Sequence, residues 1–241
     1  MQKKGKVSVI IAAAGSGTRM GSVSKPLMKI CGREAILYSL DLFCECDEVE
    51  RIVISIRKED RDVFSALIEN ENYGKEIIFA DGGDTRQQSV KNAFIAAFEK
   101  KNKTQFVAIH DAARPMVTKK YFLDTLSLAK KYGNAVCAAR AKDTFKLSDS
   151  KDLINNSVDR SILWHIQTPQ IFDTDMFHTA LALAEKNGTQ ATDESSLVSE
   201  AGFLVKLCEC GHDNIKLTYP EDAVIAEAII SARKTKKEGA I

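Results

Sequence analysis

The sequence predicts an α/β fold: a mostly parallel, open β-sheet with helices on both faces and a protruding β-hairpin arm. Three observations predict it. Short apolar runs alternate with amphipathic segments along most of the chain, the rhythm of successive βα units. The run Val7 to Ala13 passes through Ala14 into "GSGTRMG", placing a glycine loop after the first strand, where a Rossmann-like sheet holds phosphate. Between Arg140 and Trp164 the rhythm fails, and two β-prone pieces flank a polar, turn-rich centre from Ser148 to Asp152.

Taken in order, Val7 to Ala13 is the first strand and Ala35 to Phe43 the helix after its loop. Arg51 to Ile56 is the second strand, followed by a helix from about Glu59 to Glu69. Glu76 to Ala80 is the third strand, and Arg86 to Glu99 carries Val90, Ala93, Phe94 and Ala97 at helical spacing. Gln105 to Ile109 is the fourth strand, Lys119 to Lys131 a helix, and Ala135 to Ala139 the fifth strand. A last helix, Glu221 to Arg233, follows Pro220, a residue suited to a first turn, and the lysines at 234, 236 and 237 read as its frayed end. Segment 140–164 reads as a hairpin arm; a lone two-stranded arm is marginal in water, so it is expected to pack on a second subunit.

The 241 residues are read as one domain with that arm. Lys plus Arg (34) nearly balances Asp plus Glu (33), so no global positive field gathers nucleic acid or an anionic membrane. Any anion site must be local. The first apolar run is far shorter than the ~20 residues of a membrane span, which gives the expectation of a cytoplasmic protein. The six cysteines show no spacing suited to zinc and read as reduced thiols.

The glycine loop departs from a dinucleotide fingerprint. Gly15 and Gly17 let the backbone approach an anion, but Met20 replaces the third glycine, and Arg19 and Lys25 bring two cations. A non-reacting pyrophosphate needs little beyond a helix N-terminus; two cations suit a triphosphate whose charge is being redistributed. The second strand ends in Ile56-Arg57-Lys58 rather than in the acidic residue that would bind a ribose, which disfavours NAD. Further site residues are expected after the third, fourth and fifth strands. Gly82 and Gly83 can approach a base, Asp84 or Ser89 can cap the following helix, and Asp111 can face a ribose, a metal ion or a hydroxyl, with Arg114 as its pair. His110 reads as structural.

These segments resemble a known family. "AAAGSGTRMG", Lys25-Pro26, "DGGDTRQQSV", "HDAARP", "VDRSILWHIQTPQIF", "ATDESSLVSEAG" and "DNIKLTYPEDAVIAE" occur in the order found in 2-C-methyl-D-erythritol 4-phosphate cytidylyltransferases, across Val7 to Ile230. The resemblance implies attack of the sugar phosphate on the α-phosphorus of CTP, giving 4-diphosphocytidyl-2-C-methyl-D-erythritol and pyrophosphate, with Mg²⁺ held mainly by the triphosphate. It implies that Ala13, Ala14, Gly15 and Gly17 line the nucleotide and that Arg19 and Lys25 stabilise the transition state. Gly83, Asp84 and Ser89 would hold the cytosine, and Asp111 and Ala112 would lie near the ribose and metal. Arg160 and Lys216 would hold the sugar phosphate, with Asp111, Arg114, Thr144 and Thr168 close to it. The arm would make a homodimer whose substrate site is shared. Without the resemblance, Arg160 beside Asp159 reads as a surface ion pair and Lys216 as a strand-edge charge. Pro26 stands where the family commonly has glutamine. Ribitol 5-phosphate cytidylyltransferase is the alternative within the class, although it usually departs from the two alanines of "HDAARP". An NAD-dependent oxidoreductase and a nucleotide sensor without turnover are the alternatives outside it.

Overall fold

The fold is that of a computed structural model, which describes residues 3–15, 24–99 and 103–238. Its first half runs β1 (Lys3–Ala12), β2 (Lys29–Ile30), β3 (Arg33–Glu34), α1 (Ala35–Cys44), β4 (Val49–Ile56), α2 (Arg61–Glu69), β5 (Glu76–Asp81) and α3 (Arg86–Phe98). Next come β6 (Thr104–Asp111), α4 (Lys119–Tyr132), β7 (Asn134–Arg140), β8 (Lys146–Ser148) and β9 (Ile154–Ser157). The chain continues through β10 (Trp164–Asp173), α5 (Thr174–Asn187), α6 (Glu194–Glu200), β11 (Lys206–Glu209) and α7 (Glu221–Glu238).

One seven-stranded sheet has the order β11-β7-β10-β6-β1-β4-β5. Every neighbouring pair is parallel except those of β10, which is antiparallel to β6 and β7. Period-two alternation divides the core between the faces of this sheet. Val9, Ile11, Ile52, Ile54 and Phe106 point one way, into a cluster with Leu40, Phe64 and Phe122 of α1, α2 and α4. Ile10, Val53, Val107 and Ile109 point the other way, onto Phe94 of α3 and Phe177 and Leu181 of α5. Helices therefore cover both faces, as the apolar rhythm predicts, and β8 pairs with β9 as a separate two-stranded hairpin.

The expected elements occur within a few residues of their expected limits, with three differences. The helix after β4 opens as a 3₁₀ turn over Lys58–Asp60 before α2 begins. The last helix runs on to Glu238, so the lysines after Arg233 lie within its final turns rather than beyond it. The third lies after the arm, where β10, α5 and α6 form although no element is expected there. Among the described residues no helix is long and apolar enough to cross a membrane. All six cysteines are free thiols.

Candidate active site

The carboxyl ends of β1, β4, β5 and β6 border a cleft of about 490 Å³. From the β1 end come Ala13, Ala14 and Gly15; Gly17 and Arg19 lie outside the described residues. Ala13 N donates to Ser55 O at 2.9 Å, which ties the start of the loop to β4. Lys25 lines the cleft from the first residue of a single 3₁₀ turn, Lys25–Leu27. Pro26 is tolerated there because a first-turn N–H has no intrahelical acceptor. Arg57, the cation where a dinucleotide site would have an acid, also borders the cleft and is forked onto Asp60 at 2.7 and 2.9 Å.

Gly82 is required by close approach: a Cβ there would lie 2.5 Å from the Ala14 Cβ, so any side chain would push the two loops apart. Gly83, Asp84 and Ser89 all line the cleft. Neither Asp84 nor Ser89 caps α3, contrary to expectation; Thr85 does, its hydroxyl accepting from Gln88 N at 3.1 Å. Ser89 cannot cap because its hydroxyl is engaged elsewhere, accepting from Gly83 N at 3.0 Å and donating to Thr85 O at 2.9 Å. Ala112 is placed differently from the other residues assigned to CTP. Its methyl is fully buried in the core and its N–H donates to Ala12 O at 3.1 Å, while Ala113 lines the cleft.

A second cavity of about 370 Å³ adjoins the cleft, and Arg86, Asp111 and Lys216 line both. Asp111 Oδ1 accepts from Arg86 Nη2 at 2.9 Å and Nε at 3.2 Å, while Oδ2 accepts from Lys216 Nζ at 2.6 Å. Although burial opposes ionisation, the Arg86 and Lys216 charges prevail and hold the Asp111 carboxyl well below the usual carboxylate range. The expected Asp111–Arg114 ion pair forms, more loosely than the other two, with Arg114 Nε 3.9 Å from Oδ2. Arg114 also donates to Asn214 O at 2.8 Å, bracing the segment that delivers Lys216. Sequence reasoning missed Arg86; its place at the first residue of α3, three positions after Gly83, was the available signal.

Beneath this wall lies His110, fully buried. Thr168 Oγ1 accepts from Asp111 N at 3.1 Å and lies 3.0 Å from His110 Nδ1, and His110 Nε2 lies 3.2 Å from the Arg114 carbonyl. A carbonyl only accepts, so Nε2 carries the proton and Nδ1 accepts from Thr168. Burial keeps the ring neutral, lowering its pKa to about 4. Thr168 lines the second cavity, as do Arg114 and Gln170. Thr144 and Arg160 do not border either cavity; both are exposed on the arm, where Arg160 Nη1 donates to Lys142 O at 2.8 Å.

The sequence matches the model of the IspD family, 2-C-methyl-D-erythritol 4-phosphate cytidylyltransferase, over residues 7–232. It is 37% identical over 226 residues to the 2-C-methyl-D-erythritol 4-phosphate cytidylyltransferase of Caldanaerobacter subterraneus subsp. tengcongensis, covering 93% of this chain and 98% of that one. With the enzyme of that name from Geobacillus thermodenitrificans the identity is 38% over 225 residues, 93% and 96% of the two chains. The crystal structure of 4-diphosphocytidyl-2C-methyl-D-erythritol synthase from Anaerococcus prevotii superposes with a TM-score of 0.82 at 29% identity, covering 94% and 99%. That of the Francisella tularensis cytidylyltransferase gives 0.78 at 28%, covering 93% and 99%. Family model, relatives' sequences and superposed structures agree, and the chain belongs to the 2-C-methyl-D-erythritol 4-phosphate cytidylyltransferase family.

Proposed function

We propose that the protein joins CTP to 2-C-methyl-D-erythritol 4-phosphate, releasing pyrophosphate and 4-diphosphocytidyl-2-C-methyl-D-erythritol. The observation that carries this reading is the pair of adjoining cavities with a common wall of Arg86, Asp111 and Lys216. Joining two phosphates requires two anions in contact, and such a wall supplies cations to both. CTP occupies the larger cleft, its cytosine at Gly83, Asp84 and Ser89 and its phosphates at Ala14, Gly15, Gly17, Arg19 and Lys25. The sugar phosphate enters the second cavity near Arg114 and Thr168. Its phosphate oxygen forms a bond to the α-phosphorus as the bond to pyrophosphate breaks, so no protein nucleophile is needed. A cation about 4 Å from the developing charge contributes roughly 4 kcal/mol at an effective dielectric near 20, before desolvation is subtracted. Lys25 and Arg19 supply that charge, and Lys216 holds the attacking phosphate in line.

Among the described residues no group of three or more His, Cys, Asp or Glu is placed to hold a metal ion. Asp111 is already countered by two cations, so the protein offers little beyond one carboxylate, which fits a Mg²⁺ carried by the triphosphate. Asp111 would be the one carboxylate near such an ion, which would supply neutralisation of phosphate charge.

The arm, 140–164, is read as a dimerisation element of a single nucleotidyltransferase domain. Leu147, Leu153, Ile154 and Ile162 on it are 55%, 63%, 72% and 71% exposed, an apolar surface suited to a second copy. In such a homodimer Arg160 and Thr144 complete the partner's second cavity. The enzyme is taken to be cytoplasmic, binding neither nucleic acid nor membrane. Pyrophosphate release from CTP and Mg²⁺, with methylerythritol phosphate and ribitol 5-phosphate in parallel, tests the reading. Faster turnover of the ribitol substrate would overturn it.

A further inference from the structure

Behind Arg86 lies a second carboxylate that borders neither cavity. Glu194 is 1% exposed, and its Oε1 accepts from Arg86 Nη1 at 2.5 Å. Its Oε2 has no hydrogen-bond partner among the described residues. A buried, half-satisfied carboxylate is costly, and a neutral or apolar side chain of similar size would serve the fold at least as well.

Glu194 is also not needed to hold its own segment. Gln170 on β10 donates to Asp193 Oδ2 at 2.8 Å and accepts from Ser195 N at 2.9 Å. Gln87 on α3 donates to Thr189 O at 3.1 Å and accepts from Ala191 N at 3.1 Å. These four bonds anchor residues 189–195 from both sides, and Glu194 is left projecting from a rigid base onto one guanidinium nitrogen.

The consequence is seen at Asp111. A guanidinium fork commonly takes both oxygens of a carboxylate. Here both Nε and Nη2 of Arg86 go to Oδ1, and Oδ2 is left to Lys216. We propose that Glu194 is a positioning residue: by drawing Nη1 of Arg86 to itself it confines the guanidinium to one oxygen of Asp111 and keeps the other for the lysine that meets the sugar phosphate. This rests on the function proposed above, because it requires the phosphate of the second substrate to reach Lys216.

Steady-state kinetics and melting curves on three variants of the full chain test it. Glu194→Gln keeps the shape and removes the charge. It should lower kcat/KM for the sugar phosphate by about 10- to 100-fold, the range typical of groups that orient a reacting residue, with KM for CTP changed by less than about twofold. Arg86→Met should lower both the rate and the melting temperature, since it leaves Glu194 buried and uncompensated. Adding Glu194→Gln to Arg86→Met should restore the melting temperature but leave the rate within about twofold of Arg86→Met, because a residue acting only through Arg86 has nothing further to lose. Recovery of rate together with stability would overturn the proposal, as would equal KM changes for both substrates or losses that multiply in the double variant. Absence of turnover by the unaltered enzyme would overturn the proposed function itself; normal turnover by that enzyme and by Glu194→Gln alike would overturn only the positioning role.

Discussion

Strands β6 and β7 bury almost every residue, whereas β8 and β9 bury none. Both regions carry residues assigned to one reaction. At the mouth of the sheet, Ala14, Gly82 and Ser89 are fixed by contacts within the chain, and Asp111 extends from a strand bonded on both sides. On the arm, Arg160 and Thr144 ride on a hairpin with an exposed apolar surface, away from both cavities. The contrast teaches that the cleft is organised within one chain; under the function proposed above, the substrate half would need a neighbour's arm to complete it.

The largest expected effect lies at the rigid end. Lys25→Ala should lower kcat by about 10² to 10³, the scale for losing one preorganised charge-stabilising group. Single-turnover rates at saturating CTP measure it, and a loss below about tenfold would make that lysine a bystander and weaken the claim that this end performs the chemistry.

The floor beneath the cavities should titrate as part of the core. His110 has a folded pKa lowered from 6.5 to about 4, so below pH 6.5 the unfolded chain binds a proton that the folded one refuses. Stability should therefore fall as pH drops from 6.5 to 4, by roughly 3 kcal/mol over the window. Asp111, whose folded pKa is depressed, extends the loss to more acid pH. Urea midpoints against pH for the unaltered chain and His110→Asn give the comparison: the variant should show a flatter slope, and parallel slopes would place the titrating group elsewhere.

Much of the rigid half was legible in the sequence. Apolar runs at strand spacing and glycines at strand ends are local signals, and they located β4, β5, β6 and β7 to within about two residues and β1 to within four, the ordinary error for element ends. Strand β10 was not legible, because "WHIQTPQIFD" mixes polar residues with a proline and its pairing with β7 slips between Ile166 and Gln170. The pairing of Arg86 with Glu194 was illegible for a different reason. They lie 108 positions apart and meet only once α3 and α6 pack against the same sheet. Lys216 and Arg160 carry no local signature at all, and only the resemblance singled them out.

Arg160→Ala should raise KM for the sugar phosphate by about 10- to 100-fold, as for loss of a charged contact, while leaving KM for CTP nearly unchanged. Mixing the Arg160→Ala and Lys216→Ala proteins after subunit exchange sharpens the comparison. If the site is shared, half of the dimers are mixed and each carries one intact site, so about a quarter of the unaltered activity should return. No recovery would mean that Arg160 serves its own chain.

The smallest expected change in folding energy comes from Ile154→Asp. Ile154 is 72% exposed within one chain, and surface substitutions of this kind usually alter the stability of a monomer by no more than about 0.5 kcal/mol. Covered by a second copy, the same aspartate would bury an unpaired charge at an apolar contact. Sedimentation should then show dimers giving way to monomers while the urea midpoint of the dissociated chain stays near that of the unaltered monomer. The sugar-phosphate KM should rise with dissociation, because the arm that carries Arg160 leaves its neighbour's cavity. An Ile154→Asp protein that sediments and turns over like the unaltered one would remove the arm from the site and reduce the comparison to one between a core and a loop.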